Sequence, residues 1–337
     1  MSEQRPVIAV TMGDPAGVGP EVVVKAVAEE EVQRLCRPVV VGSPSILREA
    51  MHFAGEGWEL RVVEDVADVG NRAGVIEVLQ ARDVTRDQAP LGQITVQAGQ
   101  ASMEAVVRAI ELTKAGEVAA MATAPINKGA WHLAGYDEID HQTVLKRLTG
   151  ASEVATMLVS GGLRCVHLTT HHSLREACEA VRYETILARL RLTDKDFRRW
   201  GFASPRIGVA ALNPHGGDAG LLGKEEIEEI EPAVRAAREE GIDASGPVPA
   251  DAIFHQAIDG RYDVVLVMYH DQGHIPVKTH GFEESVSVNV GLPIVRTSVD
   301  HGTAFDIAGK GIADHQSMVE AIKVAVSLAT TSSLVLS

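Results

Sequence analysis

Aromatic residues are scarce in this chain of 337 residues: Trp, Tyr and Phe together make up 4%. A core of ordinary size must therefore be aliphatic. The chain holds 45% hydrophobic residues, and a Val-, Ala-, Leu- and Ile-rich core suits parallel strands covered by helices. Cysteine is also rare, with Cys36, Cys165 and Cys178 odd in number and without CxxC spacing. That excludes a disulfide framework and fits a reducing cytoplasm. No apolar run approaches bilayer length, and the segment Met1 to Pro6 lacks the apolar stretch of a secretion signal, so a soluble, cytoplasmic protein is expected. Cations are outnumbered: 31 Lys and Arg against 46 Asp and Glu give a formal charge of −15. Nucleic acid and anionic membrane surfaces are thereby disfavoured as partners. A small anionic substrate remains open, because a few local cations can dominate a binding site.

Strand-like runs alternate with helix-like stretches along the chain, which predicts an α/β protein with mostly parallel strands. Its length predicts two domains, or one large unit split by a cleft. Val7 to Thr11 reads as a strand, Pro20 to Glu30 as a helix and Pro38 to Val41 as a strand. A helix follows over Ala101 to Lys114, stopped by Gly116, and then a strand over Val118 to Thr123. Glu225 to Glu240 reads as an acidic helix with a solvated face. The polar segment Arg82 to Gln97 reads as a mobile excursion.

Three histidines stand just after strand-like runs: His171 after Val166 to Thr170, His215 after Ile207 to Pro214, and His270 after Val264 to Tyr269. Ligands bind at the carboxyl ends of parallel strands. Three imidazoles on one such rim could hold a divalent metal with positions left for substrate. Of thirteen histidines most must be surface or packing residues, and His172 is as good a ligand as His171 on spacing alone. The dense polar stretch Tyr269-His270-Asp271-Gln272-Gly273-His274 favours a binding site, because buried polar groups need partners. Lys278 and Arg296 flank the strand-like Ser285 to Val290 and could recognise phosphate or carboxylate. The turn Gly13-Asp14-Pro15-Ala16-Gly17 leads into a helix N-terminus that could face an anion, and Asp300 to Gly311 is a glycine-rich polar loop.

Taken together, Gly13-Asp14-Pro15-Ala16-Gly17, the TAPxxK segment Thr123 to Lys128, Asn213-Pro214-His215, Tyr269 to Gly273 and Asp300 to Gly309 resemble the 4-hydroxythreonine-4-phosphate dehydrogenase family. The matches are spread, in order, over nearly the whole chain. The His301 to Gly311 loop also resembles the adenosine-binding loop of isopropylmalate dehydrogenases. The resemblance implies an isocitrate/isopropylmalate dehydrogenase-like fold of two α/β/α domains with a cleft between them. It places residues 1–128 and 297–337 in a domain with the cofactor loop, and 129–296 in a metal, substrate and dimerisation domain. It implies a homodimer whose active site is shared across the interface. The metal ligands carry over to His171, His215 and His270, substrate contacts to His141, Lys278 and Arg296, and the cofactor loop to His301, Gly302, Thr303, Ala304 and Asp306.

Departures fall on substrate positions. Asp140-His141-Gln142-Thr143 stands where Gly-His-Thr-Glu is common, so Gln142 replaces a substrate-contacting Thr and an acid is added at 140. Ser287 stands where an Asn is usual, with Asn289 nearby. The wording around His270 and Asp300 is similar to the branch acting on D-threonate or D-erythronate 4-phosphate. The implied activity is metal-dependent, NAD- or NADP-linked oxidation of a β-hydroxy acid, with decarboxylation of the β-keto acid. The expected substrate is a 4-phosphorylated four-carbon acid of that branch, or 4-hydroxythreonine 4-phosphate. Zinc is the first expectation for the metal, with magnesium, manganese or cobalt as alternatives. Asp251 and Asp271 are expected to orient imidazoles or relay a proton, and Lys278 to hold the anion and assist protonation. The alternatives are a cis-dihydrodiol carboxylate dehydrogenase of the same family (terephthalate-type), a metal-dependent hydrolase, and a non-catalytic binding protein on the same fold.

Overall fold

The computed structural model describes residues 5–70, 72–138 and 140–330. Twelve strands follow in chain order: β1 (Val7–Thr11), β2 (Arg37–Gly42), β3 (Glu59–Val63), β4 (Val75–Gln80), β5 (Ala120–Thr123), β6 (Ala155–Ser160), β7 (Leu163–His167), β8 (Ile207–Ala210), β9 (Ala244–Val248), β10 (Val264–Val267), β11 (Val286–Val290) and β12 (Arg296–Val299). Contacts divide the described residues into two compact units, 5–152 with 292–330, and 153–291. Residues 129–152 and 292–296 thus pack with the first unit.

The first unit orders its strands β3-β4-β2-β1-β5-β12, every pair parallel. The central strands β1 and β5 are short runs of Val, Ile, Ala and Met ending in Thr, and β1, β5 and the more polar β12 are wholly buried. Helix Val96–Ala115 packs on β1 and β2, and Gln316–Ala329 on β5 and β12. The first of these begins at Thr95, whose hydroxyl accepts from the Ala98 N–H, and ends at Gly116 with φ 74°; a left-handed cap is where glycine is preferred. Because β1, β5 and β12 are parallel neighbours, their carboxyl ends deliver Asp14 to Gly17, Ala124 to Lys128 and Asp300 to Gly311 to one edge. The chain passes to opposite sides of β1 to reach β2 and β5, so the Asp14 turn lies at a topological switch point, the usual ligand position in such sheets.

The second unit runs β11-β6-β7-β10-β8-β9. The strands β7, β10, β8 and β9 are parallel, while β6 is antiparallel to both β7 and β11. The β6–β7 connection turns at Gly161 and Gly162, a hairpin that an all-parallel reading would not contain.

Two sequence expectations need correction. The segment Arg82 to Gln97 is pinned, not an excursion. Arg86 donates to the Pro15 carbonyl at 2.8 Å and to Glu49 at 2.9 Å, Asp83 accepts from Ser43 and Ser45, and Ala89 is fully buried. The acidic stretch is not uniformly solvated. It opens as a wide π-turn over Glu226–Ile230 and continues as an α-helix over Glu231–Glu239, and Glu226 is 2% exposed.

Candidate active site

In the second unit the neighbours β7, β10 and β8 end at one edge, and the residues that follow them carry His171, His270 and His215. His270 therefore stands on the central strand of the three. It opens helix His270–His280, where its Nδ1 lies 2.6 Å from Asp271 Oδ1. A carboxylate on one imidazole nitrogen leaves the other to bind. The exposed His171 ring is 6.3 Å from that of His270, centroid to centroid. The exposed His215 lies on a turn where residues His215 to Ala219 all have positive φ, His215 itself at 52°. Within one chain these three are not gathered: among the described residues no cluster of three or more His, Cys, Asp or Glu side chains could hold a metal.

The His215 turn is built on a carboxylate. Glu226 accepts from the Leu212 N–H at 2.8 Å, the Asn213 N–H at 2.7 Å and the Asn213 side-chain amide at 2.9 Å. Gly217 is required beside it, since a Cβ there would stand 2.8 Å from Glu226 Oε2. Gln272 ties the neighbouring ends together, accepting from the Met268 N–H and donating to the Ala211 carbonyl, each at 2.7 Å. Thr169 donates to the Met268 carbonyl at 2.9 Å.

Helix His270–His280 repeats His270, His274 and Lys278 at intervals of four, which puts them on one face. The Lys278 ammonium lies 5.1 Å from the Phe282 ring centroid. Asp251 is exposed in the first turn of helix Ala250–Ile258. Ser287 and Asn289 alternate onto one face of β11, the first partly exposed and the second buried.

In the first unit, His141 is the first residue of helix His141–Thr149. Asp140, the acid expected near substrate, is the cap of that helix: Oδ1 accepts from the Thr143 N–H at 2.8 Å and from its hydroxyl at 2.9 Å. Asp in this position satisfies an otherwise orphaned amide. Gln142 follows, partly exposed. The His141 Nε2 is sealed from solvent with no hydrogen-bond partner, and burial, with Arg296 and Lys128 nearby, holds its pKa well below the ordinary imidazole value. Arg296 is buried on β12 and donates to the Thr123 hydroxyl at 2.6 Å. Burial pulls its guanidinium down to about 9, with Asp140 opposing, so it keeps its charge at neutral pH.

The loop carrying His301, Gly302, Thr303, Ala304 and Asp306 lies against the Asp14 turn. The Thr303 carbonyl accepts from the Val18 N–H at 2.9 Å. A Cβ on Gly17 would stand 2.7 Å from the same carbonyl oxygen, so only glycine admits the loop. His301, Gly302 and Asp306 are exposed, and Thr303 and Ala304 partly so. A pocket beside the loop is lined by Gly17, Pro20, Phe53, Arg86, Leu91 and Gly309. Asp14 is fully buried; burial raises its carboxyl to about 6 against the pull of the Ala16 N–H.

Glu226 and His167 were given no role on sequence grounds, and His274 and Asp14 stood only as members of a candidate binding stretch and turn. His274 was visible in the polar stretch after β10. Glu226 was hidden among exposed acids, and nothing local marks it.

Two α/β units with binding loops at strand carboxyl ends form a frame that many α/β enzymes share, and comparison with known proteins narrows it to the dehydrogenases. A D-threonate 4-phosphate dehydrogenase of Cupriavidus necator is 44% identical over 331 residues, 98% of this chain and 99% of that one. Two solved structures named 4-hydroxythreonine-4-phosphate dehydrogenase superpose along nearly the full length. That from Klebsiella pneumoniae has a TM-score of 0.89 at 41% identity, covering 96% of this chain and 99% of the other. That from Burkholderia phymatum has 0.88 at 43%, covering 97% and 99%. The chain is an oxidoreductase of the dehydrogenase class rather than a hydrolase. It belongs to the family described as pyridoxal phosphate biosynthetic protein PdxA, whose model matches residues 34–325. Among the described residues no helix is long and apolar enough to cross a membrane.

Proposed function

We propose that this enzyme oxidises the secondary hydroxyl of a 4-phosphorylated four-carbon acid, passes hydride to NAD or NADP, and decarboxylates the resulting β-keto acid. D-threonate or D-erythronate 4-phosphate is the proposed substrate, with 4-hydroxythreonine 4-phosphate as the neighbouring choice. The observation that carries the reading is the strand order β7-β10-β8, which puts His171, His270 and His215 on one edge, in a chain 44% identical to a relative of that name.

The donor set fits one divalent ion. His270 is oriented by Asp271, and imidazole donors suit zinc or a neighbouring transition metal. His171 stands within the span of two imidazoles each about 2 Å from an ion. Because a single chain does not gather all three, we assign completion of the set to a second copy in a homodimer. The bound ion would supply Lewis-acid polarisation of the substrate oxygen. Lys278 and Arg296 are assigned the substrate's anionic groups, and Arg296 is positioned for this by Thr123. His141, held neutral, can accept or donate one hydrogen bond without adding charge. Gln142 and Ser287 are assigned to substrate selection, with Asp140 acting through the helix it caps. His301, Gly302, Thr303, Ala304 and Asp306 are assigned the nucleotide, beside the Gly17 turn. When carbon dioxide leaves, the carbon it vacates needs a proton; Lys278 is the proposed donor, with Asp251 or Asp271 relaying.

The test is nucleotide reduction and carbon dioxide release, with each candidate substrate, with NAD and with NADP, in the presence of zinc, magnesium, manganese or cobalt. Reduction with a 4-phosphorylated acid is expected. Reduction with an aromatic dihydrodiol acid alone would move the enzyme to that branch. Absence of nucleotide binding in the presence of metal would overturn the reading.

A further inference from the structure

Two imidazoles behind His270, one buried and the other partly exposed, have no part in the proposed chemistry. His167 ends β7 and is 1% exposed. Its Nδ1 lies 3.1 Å from the Thr156 carbonyl, and its Nε2 lies 3.0 Å from His274 Nδ1. His274 Nδ1 is also 3.1 Å from the His270 carbonyl. The His274 ring lies flat against His270, with centroids 3.6 Å apart and 12° between planes.

We infer that His167 and His274 form a fixed strut that sets the orientation of the His270 imidazole, making both of them positioning residues for the metal. The inference rests on His270 being a metal ligand.

Hydrogen-bond chemistry fixes the strut without any hydrogen being seen. A carbonyl accepts and never donates, so His167 Nδ1 carries the hydrogen. His274 Nδ1 also faces a carbonyl, that of His270, so it too carries a hydrogen. The His167 Nε2 that meets this N–H is therefore the acceptor. Each imidazole is thereby locked to one tautomer and one ring plane. His274 stands four residues after His270, the helical spacing that brings rings face to face. His270 is then held by Asp271 at one nitrogen and by His274 across its face.

Gly273 marks the same contact. A Cβ there would stand 2.4 Å from His167 Nε2 and 2.8 Å from the Val267 side chain. Glycine is what lets the helix close on the buried ring. An imidazole pair is a costly filler for an aliphatic core, where apolar side chains would need no partners. Its position behind His270 fits a role in holding a ligand to narrow tolerances.

The experiment is cobalt(II) titration of the full-length protein, read by visible absorption and chelator competition. The variants are His274→Leu, His274→Asn, His167→Val, the His167→Val/His274→Leu double and His270→Ala. His274→Asn can still offer an N–H to His167, which guards against misfolding, but it lacks the ring. Each His274 and His167 single variant is expected to weaken cobalt affinity about 10–100-fold, the usual effect of losing a residue that orients a ligand. The cobalt band should shift while the far-UV spectrum is retained. The double should be no worse than its weaker-binding single parent, because both residues act through one strut. Native affinity and band in both His274 variants, with cobalt binding lost in His270→Ala, would overturn the strut alone. Native cobalt affinity in His270→Ala would overturn the ligand assignment and the strut together.

Discussion

The turn that carries His215 depends on one carboxylate, and Glu226→Ala tests that dependence. Glu226 is 2% exposed and accepts three N–H groups. The Asn213 amide keeps a second acceptor in Glu225 at 2.7 Å, so the backbone N–H groups of Leu212 and Asn213 suffer the full loss. An orphaned buried donor costs about 1–3 kcal/mol; these two are partly buried, so with the void left behind the loss should be roughly 3 kcal/mol. At about 2–4 °C per kcal/mol for a domain of 150–250 residues, Tm should fall by roughly 10 °C. Glu226→Gln keeps one oxygen for the backbone donors but turns an amide nitrogen toward a donor, and should cost about 1–2 kcal/mol. Urea and thermal unfolding measure both, with Glu228→Ala as an exposed control expected within about 0.5 kcal/mol of native. A Glu226→Ala protein within about 1 kcal/mol of native would refute the reasoning, since it would mean that water satisfies the same donors at no net cost.

Asp14 has a signed pH dependence. Its folded carboxyl is raised from 3.8 to about 6, so the folded state binds the proton more tightly and stability is lost as pH rises between those values. The penalty above pH 6 is roughly 3 kcal/mol. Asp14→Asn should stabilise by up to that amount near neutrality and by little near pH 4; a gain that does not change with pH would refute this. At the cap of helix His141–Thr149, Asp140→Ala should cost about 1 kcal/mol, while Asp140→Asn stays within a few tenths. If Asp140→Asn instead loses as much stability as Asp140→Ala in urea unfolding, the charge matters beyond the cap. Trp131 is fully buried and donates from Nε1 to the Ser102 hydroxyl at 2.8 Å. Trp131→Phe should cost about 1–3 kcal/mol from the lost bond and volume, and an unchanged urea midpoint would contradict it.

Much of the architecture was legible because local chemistry decides it. Val7–Thr11 appears as read, and Gly116 ends helix Val96–Ala115, since a left-handed cap is cheap for glycine alone. The start of that helix was missed: its first turn is Gln- and Gly-bearing, without the apolar spacing that marks its middle. The acidic stretch misled because charge count cannot distinguish Glu226, turned inward onto Leu212 and Asn213, from Glu228, turned outward. Asp140, read as an acid added at a substrate position, also caps its helix through Thr143, a contact three residues away that any Asp before a helix can make.

By itself the sequence determined the α/β alternation, the aliphatic core, the family, and which histidines follow strands, because these depend on residue type and short-range spacing. Only the tertiary structure decided that β10 lies between β7 and β8, that His167 lies behind His274, and that a glutamate holds the His215 turn. Those facts depend on strand order and on contacts between residues as far apart as 107 positions in the chain, which no local pattern of apolar and polar residues encodes.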